Sequence, residues 1–516
     1  MLPILSPAES VEWDRQAAAA GIALATLMDA AGRATAAVIA DRQGPAMSQG
    51  VLVAAGPGNN GGDGWVLARA LHRVGVAVWV AASSGERSPL RRAAAELARS
   101  DGVREVTPDG PWPAVGLAVD ALLGTGASGA PRPGIAALLE RLHDLSAPIV
   151  AIDGPTGVDL STGTVHGAAR ADVTITFGGL RRGHLLARDE CGDLVVIDIG
   201  HPAAPPLPSL VTDADAAAWL PRLHASDHKG VRGRVVVVGG QPGMNGAVRI
   251  AARAAFAAGA GLVHAVAPAE TVAALVQGEP DLQTLAHELE TPLSKELRQL
   301  LERADGVVIG PGLGRAAGRR AFVAAVLECA AAAVLDADGL VAYQGAVDEL
   351  SRARGDPSRP LVLTPHPGEF RALFPGLAAE REIDPWGAAR AAAAQLGCTI
   401  LLKGVPTVVA RPDAPLLTVA AGNPGLATGG SGDLLSGLVA AALARGVSAE
   451  IAAALGAQIL GRAADLAARR VTARGMRPTD VIAALPDLWR EWEVLRVAPP
   501  AARPPVLLSL AAPETV

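Results

Sequence analysis

The chain has 516 residues, half of them hydrophobic, which is too long for one ordinary core and predicts at least two domains. Its 45 lysines and arginines against 51 aspartates and glutamates give a net charge of −6. Because no basic block accompanies this charge, neither nucleic acid nor an anionic membrane is expected as a partner.

The cysteine spacing and the hydropathy pattern argue against a disulfide-rich, a secreted or a membrane-spanning protein. The three cysteines are widely spaced, so they exclude a disulfide framework and a thiolate metal site. The N-terminus lacks the basic start and sustained apolar segment of a secretory signal. Glycines or charges interrupt the long apolar stretches, so no membrane span is expected. We therefore expect a cytoplasmic protein.

The first half alternates short apolar runs with helical segments. Runs at 51–55, 76–82, 117–123, 149–153 and 173–177 are typical of buried strands, and the segments 65–74, 89–100 and 135–145 are typical of helices. This alternation predicts an open, mostly parallel sheet with helices on both faces. Ligands of such sheets bind at the carboxyl ends of the strands.

Three polar, glycine-rich loops follow strands of this half. They read GPGNNGGDG at 56–64, DALLGTGASGA at 120–130 and AIDGPTGVD at 151–159. Asp153 is the best candidate for proton transfer, and the oxygens of Asn60, Asp120 and Thr156 suit a weakly held cation such as potassium. Any one loop alone is also consistent with plain turn chemistry. Three at successive strand ends favour a single site.

In this order, GPGNNGGDG, D-x-LLGTG and D-x-P-[ST]-G-x-D resemble the YjeF N-terminal family, the NAD(P)H-hydrate epimerases, over about residues 9–200. The resemblance implies a Rossmann-like domain that interconverts the R and S forms of hydrated NADH and NADPH. The implied potassium ligands are Asn60, Asp120 and Thr156. The implied substrate contacts are Asn59, Asn60, Gly61, Gly62, Asp63, Gly124, Thr125, Gly126, Ala127, Ser128, Gly129, Ala130 and Asp153. The family more often has serine at Thr156 and a bulkier residue at Gly154.

A proline-rich segment, HPAAPPLPSL at 201–210, reads as a stiff connector. It divides the chain into predicted domains 1–210 and 211–516. The second half is again α/β, with strands expected at 261–267, 306–309, 334–338, 361–364 and 399–402. Glycine-rich or polar turns follow several of them, including GPGLG, PHPGE and KGVPT.

The stretch 423–446, NPGLATGGSGDLLSGLVAAALARG, passes from a glycine-rich loop into an apolar helix. Such a loop exposes backbone N–H groups at the positive end of a helix and invites an anion. Asp433 stands at this anion site, where it could accept a hydroxyl proton while Gly430–Gly432 steady a transferring phosphoryl group. The alternative is that Asp433 only caps the helix.

Other polar groups complete a nucleotide-dependent site without a P-loop motif. Lys403 could meet a nucleotide, Glu369 could hold magnesium through water, and His366 could orient the acceptor. Alternatively, His366 is a turn residue between two prolines and Lys403 a solvated charge at a strand end.

The motifs HKG-x-x-G, GPGLG, TPHPGE, KG-x-x-T and TGGSGD resemble the ADP-dependent NAD(P)H-hydrate dehydratases, a ribokinase-like family, over about residues 215–495. The resemblance implies that Ala247, Gly312, His366 and Asp433 contact the hydrated dinucleotide. It implies adenine-nucleotide contacts at Lys403, Gly404, Val405, Pro406, Thr407 and Gly432. Both domains on one chain suggest ADP rather than ATP.

The sequence thus predicts an α/β enzyme with a Rossmann-like and a ribokinase-like domain that repairs damaged NADH and NADPH. The expected cofactors are K⁺ in the first domain and Mg²⁺ in the second, with ADP as co-substrate, and a homo-oligomer is expected. Two alternatives remain open: a small-molecule kinase, and a non-catalytic nucleotide- or partner-binding module in the first half.

Overall fold

The computed structural model describes residues 1–85, 88–167, 170–204, 206–497 and 505–513. The chain forms two compact units. Among the described residues, the first unit comprises 2–207 with 505–513, and the second comprises 208–497 with Met1.

The first unit alternates strands and helices, as its sequence pattern predicts. Its strands are Leu2–Leu5 (β1), Val51–Ala55 (β2), Val78–Ala82 (β3), Arg104–Val106 (β4), Leu117–Ala121 (β5), Ile149–Ile152 (β6), Val173–Phe177 (β7), Leu180–Arg181 (β8) and Asp193–Ile197 (β9). Its α-helices are Pro7–Ala19 (α1), Leu24–Arg42 (α2), Gly44–Met47 (α3), Asn59–Arg73 (α4), Pro89–Ser100 (α5), Pro133–His143 (α6) and Arg182–Leu186 (α7).

The main sheet of the first unit has the order β4-β3-β2-β5-β6-β7-β9, with every neighbouring pair parallel. Alternate residues of β2 enter two different cores, Val51 and Val53 on one face and Leu52 and Ala54 on the other. Both faces are therefore covered, which explains why the strand is apolar throughout. The chain reverses direction across the sheet between β2 and β5, which creates a crevice at the carboxyl ends of these two strands.

The second unit has the same alternating character. Its strands are Ser209–Leu210 (β10), Arg234–Val238 (β11), Leu262–Ala267 (β12), Gln283–Ala286 (β13), Gly306–Ile309 (β14), Ala333–Leu335 (β15), Leu361–Leu363 (β16), Thr399–Leu402 (β17), Thr407–Ala410 (β18) and Leu417–Val419 (β19). Its α-helices are Asp213–Trp219 (α8), Asn245–Ala257 (α9), Ala269–Gly278 (α10), Lys295–Glu302 (α11), Arg319–Cys329 (α12), Asp338–Val341 (α13), Val347–Ala353 (α14), Pro367–Leu373 (α15), Ala378–Ile383 (α16), Pro385–Leu396 (α17), Ser431–Ala444 (α18), Ala449–Gly475 (α19) and Pro478–Val497 (α20).

The sheet of the second unit has the order β13-β12-β11-β14-β15-β16-β17-β18-β19-β10. The run from β13 to β17 is parallel, and β18 is antiparallel to both of its neighbours. The chain reverses direction across this sheet between β11 and β14. Loops from β11, β14, β15, β16 and β17 consequently meet at one edge, which is where the polar turns of the sequence lie.

The C-terminal end of the chain returns to the first unit. Strand β20 (Val506–Leu510) pairs antiparallel with β9, and Ala512 N–H donates to Asp193 Oδ1 at 2.7 Å. The sequence-based division had placed this segment with residues 211–516. Of the connector expected at 201–210, Pro205 lies outside the described residues, and its described neighbours have no regular structure before β10.

Among the described residues, one helix, Ala449–Gly475, is long and apolar enough to cross a membrane, and counting α1 and α2, bent by 116°, as one span would make two. The sequence predicts no such span. Helix α19 is 78% buried over its apolar stretch, as in the core helix of a globular protein. Its apolar side chains belong to the core of the second unit.

Candidate active sites

In the first unit, Asp153 lies at the end of β6 and faces the loop that follows β5. Its Oδ2 accepts hydrogen bonds from the backbone N–H of Thr125 at 2.6 Å and from the Thr125 hydroxyl. Its Oδ1 lies 3.4 Å from Arg181 Nη2, and both side chains are nearly buried. Its φ of 65° is in the left-handed region, a strained conformation that often occurs at functional sites.

The charges around Asp153 set its ionisation. Burial acts to raise its pKa, but the Arg181 guanidinium and the hydrogen bonds from Thr125 outweigh burial and hold the pKa below its ordinary value. Asp63, in the first turns of α4, behaves oppositely. Burial and the nearby charge of Asp153 raise the pKa of Asp63 well above its ordinary value. The pKa values of the two carboxyl groups are therefore shifted in opposite directions.

Asp120 and Thr156 are brought together beneath this pair. Asp120 is fully buried, and it accepts from the Thr156 N–H at 2.7 Å, from the Thr156 hydroxyl at 2.8 Å and from Leu122 N–H at 3.1 Å. Because these donors are uncharged, burial still raises the pKa of Asp120. The amide oxygen and nitrogen of Asn60 are buried with no hydrogen-bond partner in the described part of the chain.

Gly124 lies close to both the Asn60 side chain and the carboxylate of Asp153. A methyl group on Gly124 would lie 2.8 Å from Asp153 Oδ2 and 3.2 Å from Asn60 Cγ. Gly61 is as closely packed, since a methyl group there would lie 2.1 Å from the carbonyl oxygen of Gly56. These close approaches explain why the loops after β2 and β5 are rich in glycine.

The other predicted substrate contacts of the first unit differ in how exposed they are. Asn59 Oδ1 accepts from the Ser88 hydroxyl at 2.5 Å, and Gly62 packs on Met28. Ala127 and Gly129 line a cavity of about 10 Å³ with Gly124 and Thr156. The exposed tip of the loop comprises Gly126, Ser128, Gly129 and Ala130.

Sequence reasoning missed Arg181 and His184. Arg181 Nε also donates to the Thr125 hydroxyl at 3.1 Å, and His184 Nε2 lies 2.7 Å from the carbonyl oxygen of Asp153. Burial and the charge of Arg181 lower the pKa of His184 to about 4, so its ring is neutral. The available signal was the polar LRRGH stretch that follows the buried strand at 173–177.

In the second unit, Asp433 is the third residue of α18. Gly430, with φ 97°, occupies the N-cap position, and no side chain caps this helix end. The capping interpretation of Asp433 was therefore wrong, because its carboxylate stands inside the first turn and is left available. Burial and the neighbouring Asp336 raise its pKa to about 6.

Lys403 supplies the positive charge opposite Asp433. Its ammonium lies 2.9 Å from Asp336 Oδ1 and 3.8 Å from Glu369 Oε2. Burial alone would lower the pKa of Lys403, but Asp336 and Glu369 raise it, so the side chain stays charged. A methyl group on Gly432 would lie 3.3 Å from Lys403 Nζ, which places this ion pair against the N-terminus of α18.

His366 caps α15. Its Nδ1 accepts from the N–H of Gly368 at 3.0 Å, while Glu369 Oε2 accepts from the His366 N–H at 2.8 Å. The turn interpretation is correct in part, because this capping box fixes the ring. Since Nδ1 accepts, Nε2 carries the proton in neutral histidine, and the side chain is 55% exposed. Burial raises the pKa of Glu369 despite the nearby Lys403.

Two further groups of predicted residues meet at the same edge. Gly312, with φ 60°, packs on Ala247, since a methyl group on it would lie 3.3 Å from Ala247 Cβ. In the loop between β17 and β18, Gly404 and Val405 are exposed and Pro406 is buried. The Thr407 hydroxyl closes this loop on the carbonyl oxygen of Gly404 at 3.1 Å. Both groups lie at the carboxyl ends of parallel strands.

Two acids of this site, Asp336 and Asp338, were not singled out from the sequence. Asp336 is 1% exposed and pairs with Lys403, while Asp338 accepts from the Gly314 N–H at 2.9 Å. Their signal was the DAD sequence directly after the apolar run at 333–335.

Both sites therefore lie where the chain reverses direction across a doubly wound α/β sheet. The fold and sites define a two-domain α/β enzyme whose halves each present carboxylates beside glycine-rich loops. A family model described as YjeF-related protein N-terminus matches residues 24–183, and one described as NAD(P)H-hydrate dehydratase matches residues 235–487.

The chain is also similar to whole curated proteins. The bifunctional NAD(P)H-hydrate repair enzyme Nnr of Escherichia coli (strain K12) is 38% identical over 451 residues, covering 84% of both chains. That of Moorella thermoacetica is 37% identical over 478 residues, covering 87% of this chain and 89% of the relative. The chain belongs to the family of bifunctional NAD(P)H-hydrate repair enzymes, which confirms the predicted family and enzyme class.

A solved ADP/ATP-dependent NAD(P)H-hydrate dehydratase from Bacillus subtilis, co-crystallised with ATP and Mg²⁺, is 27% identical. It has a TM-score of 0.48 and covers 55% of this chain and 97% of its own. The mostly parallel sheets of the two units confirm the predicted fold class, an α/β chain of two domains.

Proposed function

We propose that the first unit interconverts the R and S forms of NADH hydrate and NADPH hydrate, with Asp153 as base and Asp63 as acid. Inversion at the hydroxyl-bearing carbon needs one group that takes a proton and another that returns one. The opposite pKa shifts of these two aspartates carry the proposal, because they favour the ionised form of Asp153 and the protonated form of Asp63. The loops 59–63 and 124–130 would hold the hydrated nicotinamide.

Potassium would be held by Asn60, Asp120 and Thr156. The unpartnered Asn60 amide oxygen and the buried Asp120 carboxylate fit a cation with oxygen ligands, whose charge would offset the burial of Asp120. The bound ion would fix the loops after β2, β5 and β6 relative to one another. Epimerisation in potassium chloride should exceed that in lithium chloride of equal ionic strength by about tenfold. Equal rates in both salts would contradict the assignment.

The second unit would dehydrate the S form with ADP. Asp433 takes the hydroxyl proton, and the hydroxyl oxygen bonds to the terminal phosphorus of ADP as AMP leaves. The C–O bond then breaks with loss of inorganic phosphate and a proton, which restores the double bond of NAD(P)H. A kinase-like site suits this reaction because phosphate is a far better leaving group than hydroxide.

The remaining groups of this site would bind and orient the reactants. Lys403–Thr407 and Gly432 would hold ADP, with the Lys403 ammonium held near its phosphates by Asp336. Glu369 would hold Mg²⁺ through water, and the ion would neutralise phosphate charge. The half-exposed His366, whose Nε2 lies 3.5 Å from Glu369 Oε1, would orient the hydrated dinucleotide together with Ala247 and Gly312.

The test follows the reduced nicotinamide absorbance of a mixture of R and S hydrates supplied with ADP or ATP. The wild type should convert the whole mixture, and Asp153→Asn only its S fraction. Asp433→Ala should convert nothing, yet should still equilibrate the two epimers, as chromatography of the hydrates would show. Dehydration by Asp433→Ala at a near-normal rate would refute the role of Asp433.

We also propose a cytoplasmic homo-oligomer. Size-exclusion chromatography with light scattering should give a mass that is a multiple of the 52.0 kDa chain. A monomeric mass at micromolar concentration would contradict this proposal.

A further inference from the structure

A cleft of about 800 Å³ lies in the second unit beside the loop that follows β14. Its walls come from the N-terminal half of α12, from residues 341–343 and from α14, and one end is formed by Gly314 and Asp338. This volume is in the range of small-molecule sites in proteins. None of the residues predicted to bind ADP lines it.

Arginines dominate the charge of the cleft. Arg315, Arg319, Arg320 and Arg352 line it against two acids, Asp338 and Glu349. Arg319 and Arg320 are the first two residues of α12, where the helix dipole is already positive and a cation is unfavourable. Such a concentration of positive charge is stabilised by an anion, because anions bind favourably at helix N-termini.

An independent observation at Tyr343 also points to a ligand. Tyr343 lines the cleft and is 1% exposed, and its hydroxyl has no hydrogen-bond partner within the described residues. Burial raises its pKa to about 12, so the hydroxyl keeps its proton and remains a donor. A buried unpaired hydroxyl costs free energy that a bound acceptor would recover.

The arginines are already positioned to receive an anion. Arg320 Nε donates to the Ala342 carbonyl oxygen at 2.8 Å, and its guanidinium lies over the Tyr343 ring at 6.0 Å. Arg315 pairs with Asp338 at 3.2 Å. Arg320 also pairs with Glu349 at 3.3 Å, whereas the Arg352 guanidinium makes no hydrogen bond or ion pair within the described residues, so its charge is free for a ligand.

The cleft adjoins the proposed dehydration centre. Asp338, which lines it, acts electrostatically on Asp433. The Gly314 N–H that binds Asp338 is two residues from Gly312, a proposed contact of the hydrated dinucleotide. The ADP loop at 403–407 follows β17, three strands away from β14 in the sheet. The cleft is therefore placed to hold the far end of the substrate and not the co-substrate.

We propose that this cleft binds the phosphate groups of the adenosine half of the hydrated dinucleotide. The proposal rests on the proposed dehydratase function of the second unit. The phosphates in question are the pyrophosphate of both hydrates and the 2′-phosphate of NADPH hydrate alone. Arginines bind either group with paired, charge-assisted hydrogen bonds.

The experiment measures steady-state dehydration of (S)-NADPH hydrate and (S)-NADH hydrate by the full chain at saturating ADP. In Arg315→Gln/Arg352→Gln, KM for NADPH hydrate should rise by about tenfold or more while kcat stays close to wild type. KM for ADP should not change. Arg303→Gln, an exposed arginine at the opposite edge of the sheet, serves as the matched control and should behave as wild type.

Comparing the two hydrates identifies the phosphate. A rise confined to NADPH hydrate assigns the 2′-phosphate, and equal rises assign the pyrophosphate. Unchanged KM values for both hydrates, or a rise in KM for ADP instead, would overturn the proposal. Tyr343→Phe, which removes only the hydroxyl, should raise the same KM by about threefold.

A binding measurement separates this proposal from the proposed function. Calorimetric titration with adenosine 2′,5′-bisphosphate at saturating ADP should show binding that weakens by about tenfold in Arg315→Gln/Arg352→Gln. If the wild type dehydrates neither hydrate but shows this binding and its loss, the proposed function fails while the cleft remains an anion site. Dehydration without any binding of the bisphosphate would reject the cleft alone.

Discussion

The sites of the two units lie at the same topological position in their sheets, but the charged groups around them differ. In each unit the chain reverses direction across the sheet at one strand. That strand is β2, between β3 and β5, in the first unit and β11, between β12 and β14, in the second. At both points a glycine packs tightly against the neighbouring loop. A methyl group on Gly56 would lie 1.7 Å from Leu122 O, and one on Gly239 would lie 2.0 Å from Pro311 O.

What differs is the charge around the central carboxylate. Asp153 has an arginine beside it and a lowered pKa. Asp433 has two other acids near it, and Lys403 is engaged mainly by Asp336, so its pKa rises to about 6. The sheet topology therefore supplies the crevice, and the neighbouring ions decide what each carboxylate can do.

The substitution with the largest expected effect on this difference between the two sites is Lys403→Met. It removes a cation that acts to lower the pKa of Asp433 and leaves Asp336, 1% exposed, without its ion-pair partner. We expect the dehydration kcat to fall by about 10³ and the second unit to lose about 3–5 kcal/mol of stability. Dehydration assays with the S hydrate would measure kcat, and chemical denaturation would measure the stability of the second unit.

Lys403→Arg is the matched control, because it keeps the charge and should restore most of the stability. Epimerisation should be unchanged in both variants. A Lys403→Met protein with wild-type stability would show that the Asp336 carboxylate does not depend on this ion pair.

The second test removes the corresponding cation of the first unit through Arg181→Leu. Asp153 would lose the charge that lowers its pKa, so we expect epimerisation to fall by about 10² and its acid limb to move to higher pH. Interconversion of purified R and S hydrates across a pH series would measure this. Arg182→Leu, the adjacent residue, is the control. A fall in rate with an unmoved acid limb would mean that Arg181 acts only by packing.

Much of this arrangement could be predicted from the sequence, because strand ends are marked by local patterns. Apolar runs followed by glycine-rich loops located Asp153, Asp433 and Lys403 without any knowledge of the sheet order. The partners Arg181 and Asp336 were missed because their importance depends on which strands become neighbours, and a local pattern does not encode that. The pairing of β20 with β9 was missed for the same reason, since more than 300 residues separate them in the chain.

The third test compares the pH dependence of the two reactions. A base with a pKa of about 6 is mostly protonated at pH 5, so the dehydration kcat should fall by about tenfold per pH unit below 6. Epimerisation should keep its rate over that range, because the pKa of Asp153 is lowered. It should decline at higher pH as Asp63 loses its proton. Coincident acid limbs would show that the two carboxylates are not set differently.

The smallest expected effect concerns the tail that completes the first unit. Arg188, 7% exposed, donates to the carbonyl oxygens of Leu510 and Ala511, so deleting residues 505–516 would leave a buried guanidinium without these acceptors. We expect the first unit to lose about 1–3 kcal/mol. Its Tm should then fall by several degrees, at about 2–4 °C per kcal/mol for a domain of this size.

Deletion of 514–516 alone is the control for this truncation and should be neutral, because it leaves β20 on β9. Differential scanning calorimetry would separate the transitions, and dehydration of the S hydrate should continue at the wild-type rate in the truncated chain. If the dehydration rate fell with the truncation while the first unit kept its Tm, the tail would belong functionally to the second unit. Dehydration in the second unit would then depend on a segment that is packed in the first unit.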